Sequence, residues 1–172
     1  MAGLIDGGAE LLVLILFALQ KVGAGAATET VFELVTAAPG TDTITYFEVS
    51  SALNSLVATA HVALTDGLYK ITEKGARNLE LTEGDLPYSV RHHTENAATP
   101  LRTQALRREL IRTSRTIMRR GSYMLELSLS DGREELMSLR VLAANLAQAE
   151  AIEQNFRDRA ESIFGTIMDA LS

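Results

Sequence analysis

The chain contains no cysteine, which excludes disulfides and thiolate metal sites and suits a reducing cytoplasm. It also lacks an apolar run long enough to cross a membrane. Leu11 to Leu19 holds nine residues, whereas a hydrocarbon core needs about 20. The segment before that run carries Asp6 and Glu10 where an export signal requires Lys or Arg, so the run reads as a buried first helix. Three kinds of catalytic signature are missing as well: a glycine-rich phosphate loop, a serine-centred elbow and a cysteine nucleophile. Gly23-x-Gly25 follows a helix instead of a strand, which is the wrong context for dinucleotide binding. His92 and His93 are adjacent, so on a helix they point about 100° apart, and no second cluster supports them as metal ligands. His61 reads as a packed strand residue. The expectation is a protein without enzymatic activity, metal or cofactor.

What is present is enough apolar side chain for one or two small cores: 172 residues, 47% hydrophobic and 22% charged. The net charge of -6 is unevenly laid out. Residues 1 to 90 carry 4 Lys+Arg against 11 Asp+Glu, residues 91 to 120 carry 8 against 2, and residues 121 to 172 carry 4 against 9. A basic island, made only of arginine, therefore separates two acidic stretches.

Apolar spacing organises the first half. Asp6 is placed to cap a helix through Leu11, Leu12, Ile15, Leu16 and Leu19, which Gly23 and Gly25 end. Thr30 and Glu33 have capping-box spacing, with Thr28 an alternative cap, for a short second helix closed by Pro39-Gly40. Thr45 and Glu48 repeat that spacing and open a third helix whose apolar face is Val49, Ala52, Leu53, Leu56, Val57 and Ala60. Its other face is Glu48, Ser50, Ser51, Asn54, Ser55 and Thr59. His61 to Leu64, the turn Asp66-Gly67 and Leu68 to Ile71 predict a tight hairpin. Thr72 then caps a helix through Leu79 and Leu81, and Gly75 lets its first turn approach the hairpin.

Three helices, a hairpin and a helix in that order describe a winged helix-turn-helix over residues 1–86. The junction Tyr69-Lys70-Ile71-Thr72-Glu73-Lys74-Gly75 resembles the wing-to-helix junction of MarR-like and PadR-like regulators. Residues 87–112 read as a helical connector in which Thr99-Pro100 restarts or kinks the helix. Beyond it the period changes from 3.6 to 2, and residues 113–172 form a third part. A strand at 113–118 is followed by a hairpin around Asp131-Gly132. A three-residue loop would pair Leu127 with Met137, Leu125 with Leu139 and Tyr123 with Val141, keeping both apolar faces on one side and predicting a bulged hairpin. Ala147 to Leu171 is an amphipathic helix that covers the sheet. The fold class expected is thus α+β: a winged helix-turn-helix followed by a three-stranded antiparallel sheet packed on a C-terminal helix.

With both halves in view, the chain resembles an uncharacterised bacterial domain family of unknown function that joins an N-terminal winged helix to a C-terminal sheet and helix. The resemblance is carried by Tyr46-Phe47 with Leu53-Asn54, Ile71 to Gly75 with Leu79-Glu80, Leu86-Pro87 with Ser89-Val90-Arg91, and Ala149-Glu150-Ala151-Ile152. It implies a transcription regulator of unknown target and supplies no catalytic residues. The wing turn here is very short and the third helix carries no basic side chain, a departure from that pattern.

For double-stranded DNA the candidate contacts are Thr45, Tyr46, Ser50, Ser51 and Asn54 on the third helix, Lys70, Lys74 and Arg77 at and after the wing, and Arg108 and Arg112 from the basic island. Asn54 is the strong base reader among them. Arg108, Arg112, Arg115 and Arg119 have helical spacing, but the later two fall near or on a strand, which breaks the stripe. The alternative for these arginines is pairing with acids of the same chain or of a dimer mate. The functional expectation is a cytoplasmic, homodimeric winged-helix DNA-binding regulator. The alternative is a winged-helix protein-interaction module that does not touch DNA. No residue pattern identifies a small-molecule effector.

Overall fold

A computed structural model of the chain describes residues 8–172; Asp6, the expected cap of the first helix, lies outside the described residues. The fold is mixed α+β, with a two-stranded and a three-stranded antiparallel sheet and six α-helices among the described residues. The chain divides into two compact units, residues 1–105 and residues 106–172.

The first unit is built around α1 (Ala9–Val22). An apolar stripe would leave one side of this helix wet, but its apolar residues run on consecutively and Leu14, Ile15, Leu16, Phe17, Ala18 and Leu19 are all buried. A helix that is apolar all round belongs inside. α2 (Thr28–Val35), α3 (Tyr46–Ala58) and α4 (Glu73–Thr82) pack Val31, Leu34, Val35, Val49, Leu53, Leu56 and Leu79 into the same core. Each such side chain contributes about 1.5–3 kcal/mol of transfer free energy.

α2 departs from the expected start. Its N-cap is Ala27, and neither Thr28 nor Thr30 caps it with a side chain. The cause lies one residue earlier, where Ala26 and Tyr69 exchange backbone hydrogen bonds of 3.0 and 2.8 Å and commit the chain to the helix directly afterwards. α3 ends sooner than its apolar pattern suggests: Ala60 is exposed and left-handed (φ 59°) instead of extending the apolar face.

The hairpin of β1 (Val62–Thr65) and β2 (Leu68–Ile71) pairs Thr65 with Leu68 across Asp66-Gly67. Both turn residues have positive φ, 51° and 77°, the two-residue geometry that matches strand twist. Thr72 closes the junction from three sides. Its hydroxyl accepts from the Gly75 amide at 3.1 Å and lies 2.8 and 3.0 Å from the Ala60 and His61 carbonyls, to which it can donate. Gly75 sits so close that a Cβ there would lie 2.2 Å from the His61 carbonyl oxygen. That is the close approach expected from the sequence.

α5 (Tyr88–Leu110) runs through Pro100 without restarting. Thr99 does not cap; its hydroxyl bonds back to the Glu95 carbonyl at 2.9 Å, four residues earlier.

In the second unit, β3 (Ile111–Ile117), β4 (Tyr123–Ser130) and β5 (Glu135–Ala143) form an antiparallel sheet in that order. The hairpin is bulged as expected, but its register differs by two residues: Leu127 pairs with Leu139, Leu129 with Met137 and Ser130 with Glu135. A shift of two keeps every side chain on its own face, so burial alone could not distinguish the registers. Asp131 makes the difference, accepting from the Arg133 and Glu134 amides at 2.8 Å each and widening the loop to four residues. α6 (Leu146–Leu171), capped by Asn145, covers the Leu125, Leu127 and Leu129 face with Ala149, Phe156 and Ala160. Its backbone is non-helical at Arg159 (φ -130°, ψ 15°).

Candidate nucleic-acid interface

α3 separates its two sides cleanly. Taking Val49 as zero at 100° per residue, Leu53 and Leu56 fall within about 40° of it, while Phe47, Ser51, Asn54 and Ser55 fall about 140–240° away. The first three are buried and the last four exposed. Ser50, at about 100°, is half-buried and sits at the flank of the outward face.

The helix begins in a full capping box. The Thr45 hydroxyl accepts from the Glu48 amide at 3.3 Å, and the Glu48 carboxylate accepts from the Thr45 amide at 2.7 Å. The Thr45 hydroxyl and amide bonds hold the Glu48 carboxyl below its ordinary value, so this acid stays ionised on the helix's N-terminal turn. Tyr46 leans away toward α2. Its phenol donates to Glu29 at 3.0 Å and its ring meets Phe32 edge-on at 5.7 Å, with the Glu29 contact raising the phenol's pKa.

Three of the six cations of this unit have partners among the described residues. Lys74 donates to the neutral Thr59 carbonyl at 2.8 Å, tying α4 to the end of α3. Arg77 is paired with Glu73 one turn earlier on α4, and Lys21 with Glu95 at 2.9 Å. Lys70 on β2 is exposed and carries no ion pair among the described residues. Residues 1–105 hold 6 Lys+Arg against 12 Asp+Glu.

Arg108 and Arg112 fall in the second unit, where both line one open groove. Arg112 and Arg115 lie on β3, three residues apart and so on opposite faces, which ends the helical stripe. Arg115 reaches Glu153 at 3.4 Å and Glu150 at 3.5 Å, and Arg107 reaches Glu161 at 2.8 Å. For these two, pairing with acids of the same chain is what the fold provides.

One exposed residue of this face is not among the contacts expected from the sequence. Phe47, 80% exposed, borders a cavity of about 340 Å³ with Leu11, Leu12, Ser51 and Ser55. Its position two residues before Val49 places it on the wet face, a signal the helical period carries. Among the described residues no three His, Asp or Glu side chains are grouped to hold a metal, and no helix is long and apolar enough to cross a membrane.

No curated protein and no solved structure matches the chain. Residues 12–171 match the family model described as "Domain of unknown function (DUF4364)", and the chain belongs to that family.

Proposed function

We propose that residues 9–82 form a winged helix, with α3 as its reading helix and β1–β2 as its wing, in a dimeric DNA-binding transcription regulator. Element order supports the winged helix, as does the Ala26–Tyr69 bridge that joins the α1–α2 connection to the hairpin. The observation that carries the DNA reading is the outward face of α3, where Ser51, Asn54 and Ser55 stand exposed over a fully buried Val49–Leu53 seam. Asn54 supplies the amide that pairs with adenine in the major groove, and the serines donate to bases or phosphates. Self-association is supported by the end of α6, where Met168 and Leu171 are 46% and 78% exposed beside half-buried Ile163, Phe164 and Ile167. Such a regulator works in the cytoplasm and performs no catalysis.

The cations limit how such a dimer holds DNA. Lys70 and Lys74 give two phosphate-accessible charges per protomer, so the logarithm of affinity should fall with the logarithm of salt at a slope of about -4 per dimer. Fluorescence anisotropy on pooled genomic fragments between low and moderate salt tests this. Binding with that shallow slope, weakened by Asn54→Ala and by Lys70→Ala, supports the reading; absence of binding to every fragment at low salt overturns it.

A second reading has its own observation. Phe47, exposed beside a cavity that it lines with Leu11, Leu12 and Ala52 as well as with the ionised Glu48, is the composition of a protein contact and not of a phosphate contact. If the DNA experiment fails, α3 is the docking face of a protein-interaction module, and Phe47→Ala is the variant that should release a bound partner.

A further inference from the structure

We propose that the open face of the second unit's sheet binds a small oxyanion that also carries a hydroxyl or ammonium group: a phosphate monoester or a hydroxy- or amino-carboxylate. α6 covers one face of the sheet; the other presents a polar centre, with exposed Leu136 and Leu142 toward the two ends of β5. There Arg112, Ser128 and Ser138 form one row across the three strands, each directly opposite the next. Ser114, Glu126 and Arg140 form the neighbouring row. Arg108, one turn before the strand on the end of α5, joins Arg112 at the same groove of about 590 Å³.

The charges around this groove are unequally satisfied. Arg107, Arg115, Arg140 and Arg157 each have a carboxylate partner within the second unit. Arg108 and Arg112 have none among the described residues; the only bond of Arg112 is a long 3.4 Å contact to the Glu109 carbonyl. A polar sheet face is ordinarily just solvated. Arg108 and Arg112, without counter-ions among the described residues and lining the same groove as Ser128 and Ser138, offer instead the forks and hydroxyls that hold a phosphate or carboxylate through parallel N–H bonds.

The acids define the size of the ligand. Glu126, tied to Arg140 at 3.4 Å, and Glu135 line the same groove. A nucleic-acid backbone laid across it would meet both carboxylates and be repelled. A compact ligand can place its anionic end on Arg108 and Arg112 and offer a hydroxyl or ammonium hydrogen to Glu126 or Glu135. The proposal stands apart from the DNA reading of α3, since it concerns the other unit and is tested on the free protein.

The experiment is thermal unfolding of the full chain with about 10 mM inorganic phosphate, glycerol 3-phosphate, lactate or serine, each against sodium chloride of equal ionic strength. Glycerol 3-phosphate separates a phosphate ligand from the two carboxylates, and comparison with inorganic phosphate shows whether the hydroxyl end matters. The expected result is a Tm rise with at least one of the three organic probes. Arg108→Gln and Arg112→Gln should each weaken that ligand about tenfold or more, while Arg133→Gln and Arg159→Gln should leave it unchanged. All four arginines are exposed, so the variants should keep the wild-type Tm without ligand. The proposal is overturned if no probe moves Tm beyond the salt control. It is also overturned if the Arg108 and Arg112 variants respond like wild type, or if the Arg133 and Arg159 variants lose the response equally.

Discussion

The two units solve the same problem with different materials. The first is a dry core around α1, with few ion pairs and an excess of acid over base. The second carries ten Lys+Arg and ten Asp+Glu over 67 residues, and its sheet is joined to α6 by charge as well as by apolar contact. Glu153, only 5% exposed, lies between Arg115 at 3.4 Å and Arg157 at 3.5 Å, and Arg157 bonds on to Thr113. An arginine-rich stretch therefore signals a nucleic-acid face only after its internal pairs have been subtracted. In this chain the subtraction leaves Arg108 and Arg112 as the groove's pair without counter-ions among the described residues.

The largest effect should come from Phe156, fully buried against the sheet. Phe156→Ala should cost about 3–5 kcal/mol. Hydrogen exchange should rise over β3–β5 and α6 while α1–α4 keep their protection; loss of protection in all of them together would break the two-unit comparison. In the first unit the counterpart is Gly75→Ala, where the new methyl meets a backbone carbonyl that cannot rotate away. A loss of about 3 kcal/mol in unfolding free energy, read from denaturant titration, is expected. A change below about 0.5 kcal/mol would mean that the hairpin and α4 are not held at that distance.

Glu153→Ala should cost less, about 1–2 kcal/mol, because Arg115 and Arg157 are 37% and 48% exposed and recover hydration when released. Thr72→Ala should cost about 1 kcal/mol through loss of the α4 cap. The smallest effect is in acid. Glu48 and Glu161 have carboxyls held below their ordinary 4.5, by Thr45 and Arg107 respectively, and Asp131 below 3.8, by the Glu134 and Arg133 amides. A carboxyl depressed by folding stabilises the native state above its unfolded value and loses that contribution as pH falls through the folded one. Stability should be flat from neutrality to about pH 5 and then fall. Asp131→Asn should remove part of that fall, as read by urea midpoints across the range.

Much of the first unit was legible because its signals are local. The Thr45–Glu48 box, the Asp66-Gly67 turn, and the Thr72 cap with Gly75 each act within a few residues, and each is where the sequence places it. Where distant residues intervene, local reading failed. Tyr69 pairing with Ala26 set the start of α2 ahead of either threonine, and α5 continued through Pro100 although Thr99-Pro100 reads as a restart. The two-residue register error at the Asp131 loop has a different origin, since parity on a sheet conceals even shifts. For the candidate site, the outward face of α3 reads from the sequence as Glu48, Ser50, Ser51, Asn54, Ser55 and Thr59, without Phe47, although the helical period places Phe47 there as well. The fates of Lys74, Arg107 and Arg115 were not readable, because each depends on a partner brought near by folding.

The most direct test of the DNA reading is selection of bound sequences from a random duplex library at low salt, run in parallel with wild type and Asn54→Ala. The account predicts a shared, symmetric motif for wild type that is lost or relaxed at one position per half-site in the variant. Recovery of no motif by wild type, or of the same motif by both proteins, would contradict α3 as the reading helix.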